Sequence, residues 1–334
     1  MQPIKILAIE SSCDETSASV LVDGKILSNV ICTQSIHEKY GGVIPESASR
    51  LHIRNILPVV EEALHIAGIQ KKQLDAVAYT QSPGLIGSLL VGSCFAKSFA
   101  QALQIPTIAV NHMEAHVLAN LIEEPQPRFP FLCLTVSGGH TQIVICRSPL
   151  SQEIIGTTID DAAGEAFDKS AKMLGLPYPG GPLVDKFAKL GNPLAFKFAE
   201  PNMSELNFSF SGLKTSILYF LQAQTKLDEH FIKNNLNDLC ASIQHTIIKI
   251  LMKKLVLASK QHNIQEICIA GGVSANSRLR STLTEFGAKY KWNTYIPKFE
   301  YCTDNAGMIA MTAYYKFINK QFSSLEKIAS ARVS

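Results

Sequence analysis

The chain has 334 residues, 46% hydrophobic and 18% charged, with a formal net charge of +3. That composition supplies a sizeable core, in one large domain or two, and excludes a disordered chain. The small net charge fits a soluble enzyme and gives no sign of a nucleic-acid binder unless the positive charge is clustered.

In chain order, Lys5–Glu10 (KILAIE) reads as a buried strand, SSCDET as a polar turn, Ser17–Val22 as a strand, Asp23-Gly24 as a hairpin turn and Lys25–Cys32 as a third strand. Ala48–Ala67 carries helical spacing through Ile53, Ile56, Leu57, Val60 and Leu64, with Pro58 inside it. Asp75–Thr80 is a strand, QSPGLIGS leads into a helix ending near Leu103, and Thr107–Val110 is a short strand running into NHMEAH. Ala76 to Lys97 has no charge before its lysine, but its glycines and proline favour strand, loop and buried helix over a membrane span. Phe131–Ser137 and His140–Cys146 are strands around a Gly-Gly turn, repeating the opening strand–turn–strand design. Asp160–Leu174 reads as a helix with an acidic start, YPGGP at 178–182 as a rigid loop, and 185–235 as mostly helical, broken at SFSGLKT. Leu239–Ser259 is a long helix, Glu266–Ala270 a strand, GGVSAN a loop, Ser277–Phe286 a helix and Thr294–Pro297 a strand; CTDN then opens the last helix. No low-complexity linker divides the chain.

The eight cysteines (13, 32, 94, 133, 146, 240, 268 and 302) include no Cys-x-x-Cys pair and read as small buried thiols of a reducing cytosol. The N-terminus lacks the long apolar core and cleavage site of a signal peptide.

Chemistry concentrates in a few places. His112 and His116 stand at i and i+4, on one face of a helix that begins at a strand end. Glu114 lies midway between them, so the zinc-protease order His-Glu-x-x-His does not apply. A third ligand must come from elsewhere, and Asp304 in CTDN is the best candidate; two histidines and a carboxylate leave coordination positions open, as at non-haem iron or catalytic zinc. The competing reading is a helix with two partly exposed histidines. Three turns after strands (SSCDET, Ser137-Gly138-Gly139 and Ala270-Gly271-Gly272) offer backbone amides to an anion, although a Gly-Gly turn is more often just a turn. The sequence has neither G-x-x-x-x-G-K-[ST] nor G-x-G-x-x-G, which excludes a P-loop and leaves dinucleotide binding unsupported.

Ten segments occur together and in order: ESSCDETS, YGGVIPE, SPGL, NHMEAH, VSGGHTQ, DDAAGEAFDK, YPGGP, SFSGLKT, GGVSANSRLR and CTDNAGMIA. The set resembles the bacterial TsaD family, the tRNA threonylcarbamoyladenosine transferases once called O-sialoglycoprotein endopeptidases, over about residues 4–315. The resemblance implies an α/β, actin-like ATPase fold (the sugar-kinase and heat-shock-ATPase class) of two lobes around a nucleotide cleft. It implies an N-terminal lobe of residues 1–110 with 305–334 packing back on it, and a C-terminal lobe of 111–304 with a helical insertion at about 160–235. Carried over to matching positions, the metal ligands are His112, His116 and Asp304, holding one divalent ion, Fe(II) in preference to Zn(II). Threonylcarbamoyl-AMP is expected on Thr135, Val136, Ser137, Gly138, Gly139, Asp168, Gly181, Asp185 and Asn276, with Gly271 and Gly272 in the third glycine turn. Asp168 and Asp185 suit ribose hydroxyls and Asn276 a purine edge or ribose; the bland alternatives are a solvated helix-start residue for Asp185 and a helix cap for Asn276.

The implied reaction moves a threonylcarbamoyl group to the exocyclic amine of the adenosine beside the anticodon, in tRNAs reading codons that begin with A. Asp14 and Glu15 are the acids available as general base, with solvated turn acids as the alternative. Lys169, Lys172, Lys186, Lys189, Lys197 and Lys214 are available to tRNA phosphates, against the bland reading of solvated helix faces. Implied partners, in the cytoplasm and without a membrane, are tRNA, a degenerate TsaB-like paralogue packing on the N-terminal lobe through the 48–67 helix, and a small TsaE-like P-loop ATPase. The chain departs from the family pattern at Asn111, where members often carry a further histidine, and in ending on ARVS rather than an Arg-Pro-Arg-Trp-like tail. Three rival readings are a sugar- or acetate-kinase-like phosphotransferase, a metalloprotease as in the older family name, and a non-catalytic scaffold.

Overall fold

Two five-stranded sheets carry the fold, and they repeat one topology. The structure, a computed structural model, describes residues 2–201 and 203–332. Its strands are β1 (Lys5–Glu10), β2 (Glu15–Val22), β3 (Lys25–Thr33), β4 (Ala76–Ser82), β5 (Thr107–Asn111), β6 (Phe131–Val136), β7 (Thr141–Ser148), β8 (Ser151–Thr157), β9 (Glu266–Ala270) and β10 (Asn293–Tyr295). The helices are α1 (Pro45–Ala67), α2 (Ile86–Leu103), α3 (His112–Leu118), α4 (Ala163–Met173), α5 (Gly180–Ala188), α6 (Ser211–Leu227), α7 (Phe231–Asn234), α8 (Leu236–His262), α9 (Ser277–Tyr290) and α10 (Ala306–Ile318). The first sheet is ordered β3-β2-β1-β4-β5 and the second β10-β9-β6-β7-β8. In each, an antiparallel strand pair is followed by parallel additions beside its first strand: β1 pairs antiparallel with β2 and parallel with β4, and β6 pairs antiparallel with β7 and parallel with β9.

The chain divides into two units: residues 1–126, 148–151 and 297–334 form the first, and 127–147 with 152–296 the second. The first takes in 111–126 and 297–304 because α3 packs on α10, β4 and β5. Within it, Leu7, Ile9, Val20, Val77 and Tyr79 pack with α1 and α2. Their alternates Ile6, Ala8 and Ala78 are also fully buried, and α10 crosses the sheet at β1, β2 and β4. Burial on both faces explains why β1 and β4 read as continuous apolar runs rather than alternating ones. The Asp23-Gly24 hairpin forms with both residues at positive φ (47° and 78°), as a two-residue turn of that hand requires. α2 is the one described helix long and apolar enough to cross a membrane by length and composition; it packs on β4 and α1.

In the second unit, Leu132, Leu134, Val136, Ile143, Ile145, Ile267 and Ile269 form one core with α4, α6, α8 and α9. Several expectations shift here. Residues 178–182 are not simply a loop, because Gly180 opens α5. α4 starts at Ala163 rather than Asp160, since the Asp160 carboxylate instead holds Ser209, Phe210 and Ser211. β8 is an additional strand at the sheet edge, with mostly exposed residues. All eight cysteines are free; five are buried, whereas Cys94 is exposed and Cys13 and Cys32 are half-buried.

Candidate active site

The metal candidate lies within the first unit. Strands β1, β4 and β5 are parallel neighbours, so their carboxyl ends gather Glu10, Thr80 and the start of α3. Asn111 is the N-cap of α3: its Oδ1 accepts from Met113 N (2.8 Å) and Glu114 N (3.1 Å). The residue that departs from the family pattern thus fixes the helix that presents both histidines. Glu114 is exposed while His112 and His116 are buried, so the glutamate is turned away from them. Asp304 arrives on the turn before α10. That turn is anchored by Asn305 Oδ1 accepting from Met308 N, by Ala306 N donating to Ser17 Oγ of β2 (2.9 Å), and by Gly307 N donating to Asn29 Oδ1 of β3 (3.0 Å).

Three atoms converge. His112 Nε2 and His116 Nε2 are 3.1 Å apart, and Asp304 Oδ1 lies 3.3 Å from the first and 3.2 Å from the second. Ligand bonds of about 2.0–2.1 Å at tetrahedral angles place donors roughly 3.3–3.4 Å apart, so the triangle has the size of one face of a coordination shell. Two facing Nε2 atoms can share only one proton, whereas a cation satisfies both. His112 Nδ1 in turn meets Glu10 Oε2 at 3.1 Å and Ser12 Oγ at 3.2 Å, the carboxylate–histidine pairing that orients metal-binding imidazoles. Glu10 is fully buried and also accepts from Thr80 Oγ1 and Ser12 N. His116 Nδ1 is buried without a hydrogen-bond partner among the described residues.

The electrostatics agree with the geometry. Burial disfavours charge on His112, but the Asp304 and Glu10 carboxylates outweigh it and hold its pKa well above the usual range. His116 is pushed down by burial and by the neighbouring His112. Burial would raise the Asp304 and Glu10 carboxyls, yet the imidazoles hold both below their ordinary values. One buried carboxylate (Glu10) and one half-buried one (Asp304) around two imidazoles make a site whose charge a divalent cation would balance. The residues therefore fit one ion, with Asp304, His112 and His116 as ligands and Glu10 and Ser12 behind them. Glu10 was not among the sequence candidates; the available signal was an acid closing an apolar strand.

Asp14 follows in the same turn and Glu15 opens β2, both half-buried. Burial, reinforced by Asp304 and Asp14, pushes the Glu15 carboxyl up to about 10.

The glycine turns lie in the second unit. Thr135 and Val136 end β6, both buried, and the chain then turns through Ser137, Gly138 and Gly139, where the two glycines are exposed. Ser137 N donates to His140 O (2.8 Å) and Ser137 Oγ accepts from His140 N (3.1 Å), closing the turn on itself. Gly164 of α4 packs directly on its backbone. Gly271 is at φ 83° against the Val136 carbonyl, a position only glycine fills, while Gly272 is open. The turns after β6 and β9 therefore touch.

The other carried-over residues hold helix starts. Asp168 Oδ1 accepts from Gly180 N (2.9 Å) and Gly181 N (3.0 Å), and burial raises its pKa against those bonds. Asp185 Oδ1 accepts from Ser277 Oγ (2.8 Å). Asn276 caps α9 by accepting from Arg278 N and Leu279 N, and its amide donates to Gln244 Oε1 (2.6 Å). Asn276 thus does the work of its bland reading, a helix cap, whereas Asp185 is no solvated helix-start residue: it lies inside α5, half-buried, and holds the first residue of α9. Of the six lysines, Lys169 and Lys214 pair with Asp161 and Lys189 with Asp185; Lys172, Lys186 and Lys197 are exposed without an ion pair among the described residues.

A profile of the TsaD family, described as tRNA N6-adenosine threonylcarbamoyltransferase, matches residues 25–311. The chain belongs to the TsaD family. It is 57% identical to the tRNA N6-adenosine threonylcarbamoyltransferase of Christiangramia forsetii over 99% of this chain and 98% of that protein. It is 56% identical to the protein of the same name from Phocaeicola vulgatus, over 98% of each chain. Among solved structures, full-length HypF in its phosphate- and nucleotide-bound form superposes with a TM-score of 0.63 at 15% identity, covering 96% of this chain and 47% of that one. At that identity the likeness speaks for fold alone, and the fold of this TsaD-family chain is the actin-like ATPase fold expected from its motifs.

Proposed function

We infer that the chain is an acyl-type transferase that places a threonylcarbamoyl group on N6 of an adenosine in tRNA. The observation that carries this is 56–57% identity over nearly the full length to enzymes of that name, together with the His112–His116–Asp304 triangle. The finer reading is that the donor is threonylcarbamoyl-AMP and the acceptor the adenosine beside the anticodon, in tRNAs reading codons that begin with A. The N6–carbamoyl carbon bond forms, the carbon–phosphate oxygen bond breaks, AMP leaves with the electron pair, and the amine loses a proton.

Adenine N6 is a weak nucleophile, so positioning and charge stabilisation supply most of the rate. His112, His116 and Asp304 would hold one divalent ion; the two-histidine, one-carboxylate set suits Fe(II) and Zn(II) alike, and the family resemblance puts Fe(II) first. When bound, the ion supplies a Lewis-acid grip on the threonyl carboxylate or hydroxyl. The amides of Gly138 and Gly139 would face the phosphate or carbamoyl oxygen, with Thr135, Val136 and Ser137, whose own N–H is held by His140 O, shaping the turn beneath them and the Gly271-Gly272 turn supporting it. Asp168, Gly181, Asp185 and Asn276 complete the nucleotide subsite. Asp14 and Glu15 are the acids we assign as candidates for the base that takes the amine's proton.

Lys172, Lys186 and Lys197, exposed and without an ion pair among the described residues, are the cations offered to tRNA phosphate, so binding weakens with salt. The exposed Ile53 and Leu57 of α1 and Ile86 and Leu90 of α2 offer an apolar face to a TsaB-like paralogue; a TsaE-like P-loop ATPase completes the set, and all act in the cytoplasm. The kinase reading is disfavoured by the two-histidine set and the protease reading by the outward Glu114. The deciding experiment is incorporation of labelled threonine into tRNA by the purified chain with its partners, wild type against His116→Ala. Equal incorporation would end the metal-site reading, and none by either would end the transferase reading.

A further inference from the structure

The SSCDET turn is held by its carbonyls. Ser12 O accepts from Leu85 N (2.8 Å), Cys13 O from His52 Nε2 (2.9 Å), and Asp14 O from Gln34 N (3.2 Å). His52 is the one side chain among the three donors. It is fully buried, and its other nitrogen, Nδ1, is 2.8 Å from Thr16 Oγ1. A carbonyl can only accept, so Nε2 carries the proton and Nδ1 of the neutral ring takes the Thr16 hydroxyl. One imidazole thus bridges both ends of Cys13–Thr16. Immediately before that bridge, Ser12 Oγ and Glu10 Oε2 hold His112 Nδ1 at 3.2 and 3.1 Å.

We propose that His52 is a positioning residue for the metal site, fixing from α1 the turn that carries Ser12 and follows Glu10, the two residues that orient His112. The inference rests on the metal-site reading above. His52 touches no ligand atom, and it stands beside Ile53, which is 66% exposed on the outer face of α1. A change in α1 therefore reaches His112 through two hydrogen bonds and a turn. Without the imidazole, the Cys13 carbonyl and the Thr16 hydroxyl lose their partner, and the turn no longer holds Ser12 and Glu10 in register with His112. Loss of such outer contacts typically costs about 10–100-fold in metal affinity.

The test is titration of the metal-depleted full-length chain with Co(II), followed by its visible absorption, with chelator competition for the dissociation constant and a thermal melt for each variant. His52→Ala should weaken Co(II) binding about tenfold or more. His52→Gln, whose amide can still donate to Cys13 O, should recover most of it. Val60→Ala removes buried α1 packing without touching the turn, and should lower the melting temperature while leaving Co(II) affinity unchanged. Wild-type affinity in His52→Ala, or equal weakening in Val60→Ala, overturns the proposal. If His52→Ala does not fold, Thr16→Val decides: it removes only the hydroxyl that fixes the ring, and affinity equal to wild type there overturns the proposal. His116→Ala separates the two readings. If it too binds Co(II) like wild type, the metal site itself is wrong; if it loses Co(II) while His52→Ala does not, only the role of His52 falls.

Discussion

Gly164→Ala should damage both the fold and the reaction, for a reason that can be worked out in ångströms. A Cβ at this position would lie 2.8 Å from Gly138 Cα and closer still to the Ser137 carbonyl oxygen, all backbone atoms that no rotamer change can move. Restoring ordinary contact requires a displacement on the order of 1 Å between the start of α4 and the Ser137–Gly139 turn. Overpacking of this kind costs about 1–3 kcal/mol, whereas helix propensity alone would make alanine the better residue by up to about 1 kcal/mol, so the two effects have opposite signs. A misplacement of that size in a substrate-positioning turn lowers kcat/KM by roughly 100-fold. Chemical denaturation reads the first quantity and threonylcarbamoyl transfer to tRNA the second. Gly139→Ala is the control for folding, because nothing lies within 4 Å of its added Cβ; it should be as stable as wild type. A Gly164→Ala enzyme as stable and as active as wild type would refute the claim that α4 sets the turn.

Other substitutions probe different links. Lys254 is buried in α8 and donates to Met203 O (2.7 Å) and Glu205 O (2.6 Å), so Lys254→Met should cost about 2 kcal/mol by stranding both carbonyls, read by urea denaturation. Burial works against the charge on Asp160, but its bonds from Ser209, Phe210 and Ser211 outweigh that and depress its pKa. Its contribution is therefore complete above the ordinary carboxylate range and is lost as pH falls below about 4; Asp160→Asn should be less stable than wild type at pH 7, and the two stability curves should converge in acid. Asn111→Ala removes the cap of α3 and should cost about 1 kcal/mol, measured by thermal melting, while leaving both histidines in the chain.

The sequence showed the repeated strand–turn–strand design and the shared face of His112 and His116, because local periodicity alone sets both. Asp304 is 188 residues from His116, and no spacing rule joins them; its polar loop marks it as a candidate, and only the family likeness ties it to the histidines. Glu10 stayed hidden because KILAIE reads as a buried strand whose last residue ought to face solvent, whereas Thr80 and Ser12 fold over it. YPGGP resembles a loop by composition, yet Asp168, twelve positions upstream of Gly180, supplies the acceptor that lets the glycines start a helix. The Asp160-Asp161 pair resembles a helix start for the same local reason; its partners at Ser209, Ser211, Lys169 and Lys214 are set by tertiary packing.

If His112, His116 and Asp304 together bind one ion, the purified protein should carry it. The most direct measurement is the metal-to-protein ratio of the purified chain by elemental analysis, wild type beside a His112→Ala/His116→Ala/Asp304→Ala triple variant shown to be folded by circular dichroism. About one equivalent of iron or zinc is expected in the first and none in the second. A triple variant that retains the wild-type metal content would contradict that expectation.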